Sequence, residues 1–236
     1  METARYRICT ASVFGDLETF KTLLDEGECF NSVEWLYVSR DDRSVVTNLF
    51  SRHEDLEYLL SLLVLACENG RLATVRHVVT FNPVKIHITL RTAREFLRAA
   101  ITSGSLEIVR FITNLDPRAV NLPQHRRCND RSPLALALTK LEPTVCLPIL
   151  QTLLDNGANP RHGKSNLMGY VVKRTPEVYE VLVKAGAYYK ANVRDVALLP
   201  AAAQEGNGTM LSYFLGRGAD LNANDPPHPY TLRYSA

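Results

Sequence analysis

The stretch Ile149-Leu-Gln-Thr-Leu-Leu-Asp-Asn-Gly-Ala-Asn-Pro160 decides the fold, because altered copies of it return along the chain. The copies are Phe20-Lys-Thr-Leu-Leu-Asp-Glu-Gly27, Val178-Tyr-Glu-Val-Leu-Val-Lys-Ala-Gly-Ala187 and Leu211-Ser-Tyr-Phe-Leu-Gly-Arg-Gly-Ala-Asp-Leu-Asn222. Apolar residues at three- and four-residue spacing predict a short amphipathic helix in each copy. A glycine closes each helix, and we expect Gly157 and Gly186 to have positive φ.

A second short apolar segment precedes the helix of the repeated phrase, as in Pro133 to Leu138 and Val196 to Ala203. A tight turn, often at glycine, joins the two segments. Six such units can be placed on the sequence, centred near Gly15, Gly70, Gly104, Leu141, Thr175 and Gly206. The sequence therefore predicts an all-α chain of about six helix–turn–helix repeats with short hairpin-like loops.

The repeat period and three local patterns resemble one repeat family. Gly70 and Gly104 lie 34 residues apart, a period typical of tetratricopeptide and ankyrin repeats. The patterns Ser132-Pro-Leu-Ala-Leu-Ala137, Gly104-Ser-Leu-Glu-Ile-Val-Arg110 and Gly218-Ala-Asp-Leu-Asn-Ala-Asn224 resemble the helix start, turn and loop of ankyrin repeats. Ala135 departs from the family pattern, which has histidine there.

This resemblance implies an ankyrin-type solenoid over residues 1–225. Two segments interrupt the expected register: an insertion over 31–52 and a long loop over 117–130. A proline-rich tail over 226–236 follows, because proline cannot continue a helix.

Composition excludes several classes of protein. The net charge of +2 is far from that of a dedicated nucleic-acid binder, and we expect no nucleic-acid partner. The longest nearly continuous apolar run, Leu59 to Cys67, is too short to span a bilayer. The five scattered cysteines and the absence of an apolar leader after Met1 favour a reducing compartment. We expect a monomer in the cytoplasm, the nucleus or both.

The chain shows two weak signals for site chemistry. The segment from Ala158 to Gly163-Lys164-Ser165 is one residue from a phosphate-binding loop. However, alanine replaces its first glycine and a predicted helix, not a strand, precedes it. His125 and Cys128 lie three apart, but no second pair completes a zinc site. We therefore predict no catalytic, metal or cofactor-binding residue.

The charge distribution points to a binding surface. Residues 118–174 contain nine basic and three acidic residues, so the rest of the chain is net acidic. A charged face can be merely solvated, but an acidic peptide or protein surface is the better-matched partner.

The family resemblance implies a concave face built from loop tips and the ends of the first helices. It predicts these partner-binding residues: Arg127, Asn129, Arg131, Thr139, Lys140, Lys173, Arg174, Gln204 and Glu205. Val13 and Phe14 occupy the same places in the first unit, which predicts that this end of the face is covered.

The sequence thus predicts a non-enzymatic protein-interaction module or scaffold. The alternatives are a transcriptional or signalling co-regulator that masks its partner, and an enzyme of unrecognised type or a nucleotide binder. For the core, helical spacing predicts that Leu153, Leu154, Leu182 and Leu215 pack between repeats.

Overall fold

The computed structural model describes residues 4–25, 53–80, 88–121, 132–161, 167–187 and 198–219. These residues form helices and turns and contain no strand, which confirms the all-α class. The predicted insertion 31–52, most of the loop 117–130 and the tail 226–236 lie outside the described residues. The chain divides into two compact units, Met1–Val120 and Asn121–Ala236.

Unit 1 contains three described helix pairs, each joined by a turn at one of the predicted glycines. Its helices are α1 (Ala4–Phe14), α2 (Leu17–Asp25), α3 (His53–Glu68), α4 (Leu72–Thr80), α5 (Leu90–Thr102) and α6 (Leu106–Leu115). A 3₁₀ helix, Pro117–Val120, follows α6 and buries Ala119 and Val120. The start of the predicted long loop is therefore helical, because these two apolar residues pack beside α5 and α6.

Unit 2 repeats the arrangement with three further described pairs. Its helices are α7 (Pro133–Lys140), α8 (Pro143–Asp155), α9 (Leu167–Val171), α10 (Pro176–Lys184), α11 (Leu199–Gln204) and α12 (Gly208–Gly216). Proline opens α7, α8 and α10, where its fixed φ suits the first turn and no amide donor is lost. Ser132 caps α7 by accepting a hydrogen bond from the Ala135 amide at 3.2 Å.

Neighbouring pairs stack through like helices within each unit. In unit 1 the first helices α1, α3 and α5 pack in a row, and the second helices α2, α4 and α6 do the same. In unit 2, α7 packs on α9, α8 on α10, and α10 on α12. Within each unit, neighbouring pairs therefore pack against each other, as stacked repeats must.

The core lies between the stacked pairs. In unit 1 its largest fully buried side chains include those of Phe20, Leu62 and Phe96. In unit 2 they include Tyr179 and Phe214, whose rings meet edge to face with centroids 5.2 Å apart. Such aromatic pairs add about 0.5–1.5 kcal/mol beyond their buried area.

Two of the four predicted core leucines are fully buried, and two are not. Leu153 and Leu182 have no exposed surface, as predicted. Leu154 is half-buried, so it packs only in part, and Leu215 is 41% exposed, so the prediction for Leu215 is wrong. Each lies one residue after a fully buried neighbour, and one residue turns a helix by about 100°, which rotates the side chain away from the core.

The helix ends confirm the predicted glycine geometry. Gly157 has φ +83° and Gly186 has φ +82°, in the left-handed region that an L side chain rarely adopts. The following amides reach back to carbonyls inside the helices: Ala158 to Leu153 at 3.0 Å, and Ala187 to Leu182 at 2.9 Å. These bonds satisfy carbonyls that a helix end leaves open.

Among the described residues, no helix is both long and apolar enough to cross a membrane.

Candidate partner-binding surface

The predicted binding residues that the structure describes lie at three successive turns of unit 2. Thr139 and Lys140 end α7, Lys173 and Arg174 lie between α9 and α10, and Gln204 and Glu205 lie at the end of α11. Arg127, Asn129 and Arg131 lie outside the described residues. We call the four exposed residues among these, Lys140, Lys173, Gln204 and Glu205, the turn surface.

Side-chain bonds show that the first two turns are neighbours. The Arg174 guanidinium donates from Nε to the Leu138 carbonyl at 2.7 Å and from Nη1 to the Leu141 carbonyl at 2.6 Å. Its Nη2 also donates to the Leu138 carbonyl. These acceptors flank Lys140, so Lys140 and Lys173 lie on adjacent turns.

Arg174 itself is half-buried and is used to hold the pairs together. The turn after α7 has no glycine, and its last residue, Leu141, is extended at φ −90° and ψ 149°. The chain therefore cannot close α7 with a left-handed residue, and the guanidinium satisfies the open carbonyls instead. In this structure the Arg174 guanidinium joins the first two turns through these hydrogen bonds.

The Thr139 hydroxyl is engaged within its own helix. Its hydroxyl donates to the Ala135 carbonyl at 2.9 Å, and the residue is half-buried. We therefore leave Thr139 out of the turn surface.

An ion pair joins the second turn to the third. Lys173 Nζ lies 2.9 Å from Glu205 Oε1, and the two side chains are 56% and 38% exposed. Lys140 and Gln204 are also exposed. The turn surface thus carries two lysines, one of which is partly neutralised by a carboxylate of this chain.

Asn207 was missed by the sequence analysis and provides a second link between these two turns. Its Nδ2 donates to the carbonyls of Val172 at 2.8 Å and Arg174 at 2.9 Å, and its Oδ1 accepts from the Met210 amide. A signal was present in the sequence. The turn between α9 and α10 lacks glycine, and Asn207 of the next pair supplies donors to two of its carbonyls.

The corresponding edge of unit 1 differs in chemistry. The Phe14 ring is 71% exposed. The insertion 31–52, which was expected to cover this end, lies outside the described residues. The Phe14 ring borders a shallow cavity of about 220 Å³ that Arg7 and Thr10 also line. Val13 is half-buried, and its carbonyl accepts from Arg71 Nε at 2.6 Å.

A polar cluster also bridges the last two second helices of unit 2. Glu180 accepts from the Tyr213 hydroxyl and from Arg217 Nη1, the latter at 2.9 Å. Partial burial and the bond to Glu180 raise the pKa of Tyr213 above its ordinary value. All the groups in this cluster pair with one another, so it serves to hold α12 against α10.

Within the described ranges, no group of three or more His, Cys, Asp or Glu side chains is placed to hold a metal ion. The buried thiols are also poor nucleophiles, since burial raises the pKa of both Cys67 and Cys146.

Comparison of the chain with models of protein families, with curated protein sequences and with solved structures finds no match. The turn surface is therefore interpreted from its own residues.

Proposed function

We propose that this chain is an ankyrin-type repeat protein that binds an acidic segment of another protein on the turn surface, without catalysis. The support for the repeat assignment is the agreement of period, turn positions and stacking. Six described helix pairs turn where the sequence repeats, and like helices stack within each unit.

One observation carries the binding proposal: Lys140 and Lys173 stand exposed on adjacent turns whose spacing is fixed by Arg174. The ammonium groups of these two lysines can each pair with a carboxylate of an acidic segment. Because the turns are already held together, little backbone freedom of this surface is lost on binding.

The expected binding is weak per contact and sensitive to salt. An exposed ion pair contributes about 0.2–1 kcal/mol, so affinity depends on several pairs acting together. Charges at an exposed rim mainly speed the encounter of the partners. Added salt shortens the Debye length from about 10 Å at 0.1 M to about 3 Å at 1 M and should slow association.

A fluorescein-labelled hexaglutamate peptide can test the surface before any partner is known. We expect the double variant Lys140→Ser with Lys173→Ser to bind it about two- to thirtyfold more weakly than the native chain at low salt. The difference should shrink at 1 M salt.

Lys184→Ser is the matched control for this experiment. Lys184 is an exposed lysine of the same unit, at the far end of α10 from Lys173. Its replacement should leave the affinity nearly unchanged. An equal loss of affinity in the control and in a single Lys140→Ser or Lys173→Ser variant would show that peptide binding follows net charge and not this surface.

A co-regulator that masks its partner would use the same surface. Affinity capture with the native chain and with the double variant, followed by mass spectrometry, would identify acidic partners that depend on the two lysines.

A further inference from the structure

The carboxylate of Glu205 occupies the position beside Lys173 that a partner carboxylate would need. Its Oε1 lies 2.9 Å from Lys173 Nζ and reaches across from the next helix pair. The geometry points to Glu205 as an internal competitor, which holds Lys173 until an acidic partner displaces it. This inference rests on the proposed function, because it concerns the same surface and the same class of partner.

The ion pair is exposed enough to be displaced. Both side chains keep more than a third of their surface in solvent, and such pairs contribute little to stability. Glu205 can therefore leave Lys173 without unfolding the turn. While it stays, the fraction of molecules with a free Lys173 falls, and the apparent affinity for a partner falls by the same factor.

The stacking of the last pair does not depend on this ion pair. Asn207 already donates two hydrogen bonds across the same junction, to Val172 and Arg174. The buried rings of Tyr179 and Phe214 join the second helices of the same pairs. Glu205 is therefore not needed to hold the fold. Because its carboxylate pairs with Lys173, it can control access of a partner to that lysine.

The competitor also sets a requirement on the partner. A segment with one carboxylate can pair with Lys140 and leave Glu205 in place. A segment with several carboxylates can pair with Lys140 and supply a second group to replace Glu205. Glu205 should therefore favour densely acidic segments over isolated acidic residues.

Titration of the full chain with the hexaglutamate peptide tests this competition. Glu205→Gln keeps the size and polarity of the side chain but removes its charge. We expect it to bind the peptide about two- to fivefold more tightly than the native chain. Glu107→Gln, an exposed glutamate of unit 1, removes the same charge elsewhere and should leave the affinity unchanged.

A double-variant cycle makes the test specific. In a chain that already carries Lys173→Ser, Glu205→Gln should give no gain, because the lysine over which the two carboxylates compete is absent. Circular dichroism melts of each variant check that the fold is retained.

Three outcomes would overturn the inference. If Glu205→Gln binds no more tightly while the lysine variants still weaken binding, the competition is absent and the proposed function stands. An equal gain in Glu107→Gln would show that only net charge matters. If neither the native chain nor Glu205→Gln binds the peptide, both the inference and the acidic-partner proposal fail.

Discussion

The guanidinium of Arg174 donates to carbonyls that a glycine turn would satisfy from the main chain. After α8, the amide that follows Gly157 closes the helix. After α7 there is no such glycine, and the donors come from Arg174, with hydrogen bonds spanning 33 and 36 residues. A contact at that separation leaves no local pattern, so the sequence predicts for Arg174 only the partner-binding place that the family resemblance implies.

Replacement of Arg174 by alanine should lower the free energy of unfolding by about 1.5–3 kcal/mol, the usual range for hydrogen bonds from a charged group. The free energy of unfolding of Arg174→Lys should lie between those of the native chain and Arg174→Ala, because lysine keeps the charge but has no planar guanidinium to donate several hydrogen bonds. Lys140→Ser, on the neighbouring exposed residue, should change stability by less than about 0.5 kcal/mol. Urea unfolding of the three variants measures this, and equal losses for Arg174→Ala and Lys140→Ser would contradict the structural role.

The Cys67 thiol makes the free energy of unfolding fall at alkaline pH. Burial, with a smaller contribution from the charge of Glu68, raises the pKa of this thiol from 9.0 to about 12. Between these values the folded chain keeps a proton that the unfolded chain releases. The thiol's contribution is therefore complete below pH 9 and is lost as pH rises towards 12, at about 1.4 kcal/mol per pH unit.

Cys67→Ala should consequently make stability less sensitive to alkali. Urea unfolding gives the free energy of unfolding at about pH 8 and pH 10. Its decrease between these two pH values should be roughly 1.4 kcal/mol smaller for Cys67→Ala than for the native chain. Parallel losses in the two proteins would mean that Cys67 ionises in the folded state near its ordinary pKa.

Along α8, the repeated phrase predicted the helix and its end, but not the rotation of every side chain. Gly157 has the conformation that a helix-closing glycine requires. Leu153 and Leu154 are the same residue type, and the helical spacing of apolar residues predicts that both pack in the core. Only packing against the neighbouring pairs decides that Leu153 is fully buried and Leu154 half-buried.

The two leucines give a matched pair for measuring that packing. Leu153→Ala should cost about 2–5 kcal/mol through lost burial and a residual cavity. Leu154→Ala should cost about 1 kcal/mol, because part of its side chain is already in water. Chemical denaturation of both variants tests the rotation of α8, and equal costs would show that the helix is turned differently.

Across the whole chain, the fold was more predictable from the sequence than the candidate site was. Helix pairs leave periodic apolar residues and turn glycines, such as Gly15 and Gly104, which can be found from local sequence. The site depends on which side chains meet across turns. The pairing of Lys173 with Glu205 joins residues 32 apart in sequence, and nothing near either residue indicates the other.

Three side chains donate hydrogen bonds between helix pairs from a later residue to an earlier carbonyl, whereas the bonds from Ser12 to Leu62 and from Arg161 to Gly186 run the other way. Arg71 donates back to Val13, Arg174 back to Leu138, and Asn207 back to Val172. Each of these three acceptors is therefore translated before its donor, by about 2 to 7 seconds for the 36 residues that separate Leu138 from Arg174.

We therefore expect the pair of α7 and α8 to become more protected in the nascent chain once Arg174 has emerged. Pulse proteolysis of stalled chains that end at successive lengths would show this protection of α7 only after Arg174 has left the ribosome. In an Arg174→Ala chain the same protection should be weaker, whereas unchanged protection would mean that these hydrogen bonds play no part in vectorial assembly.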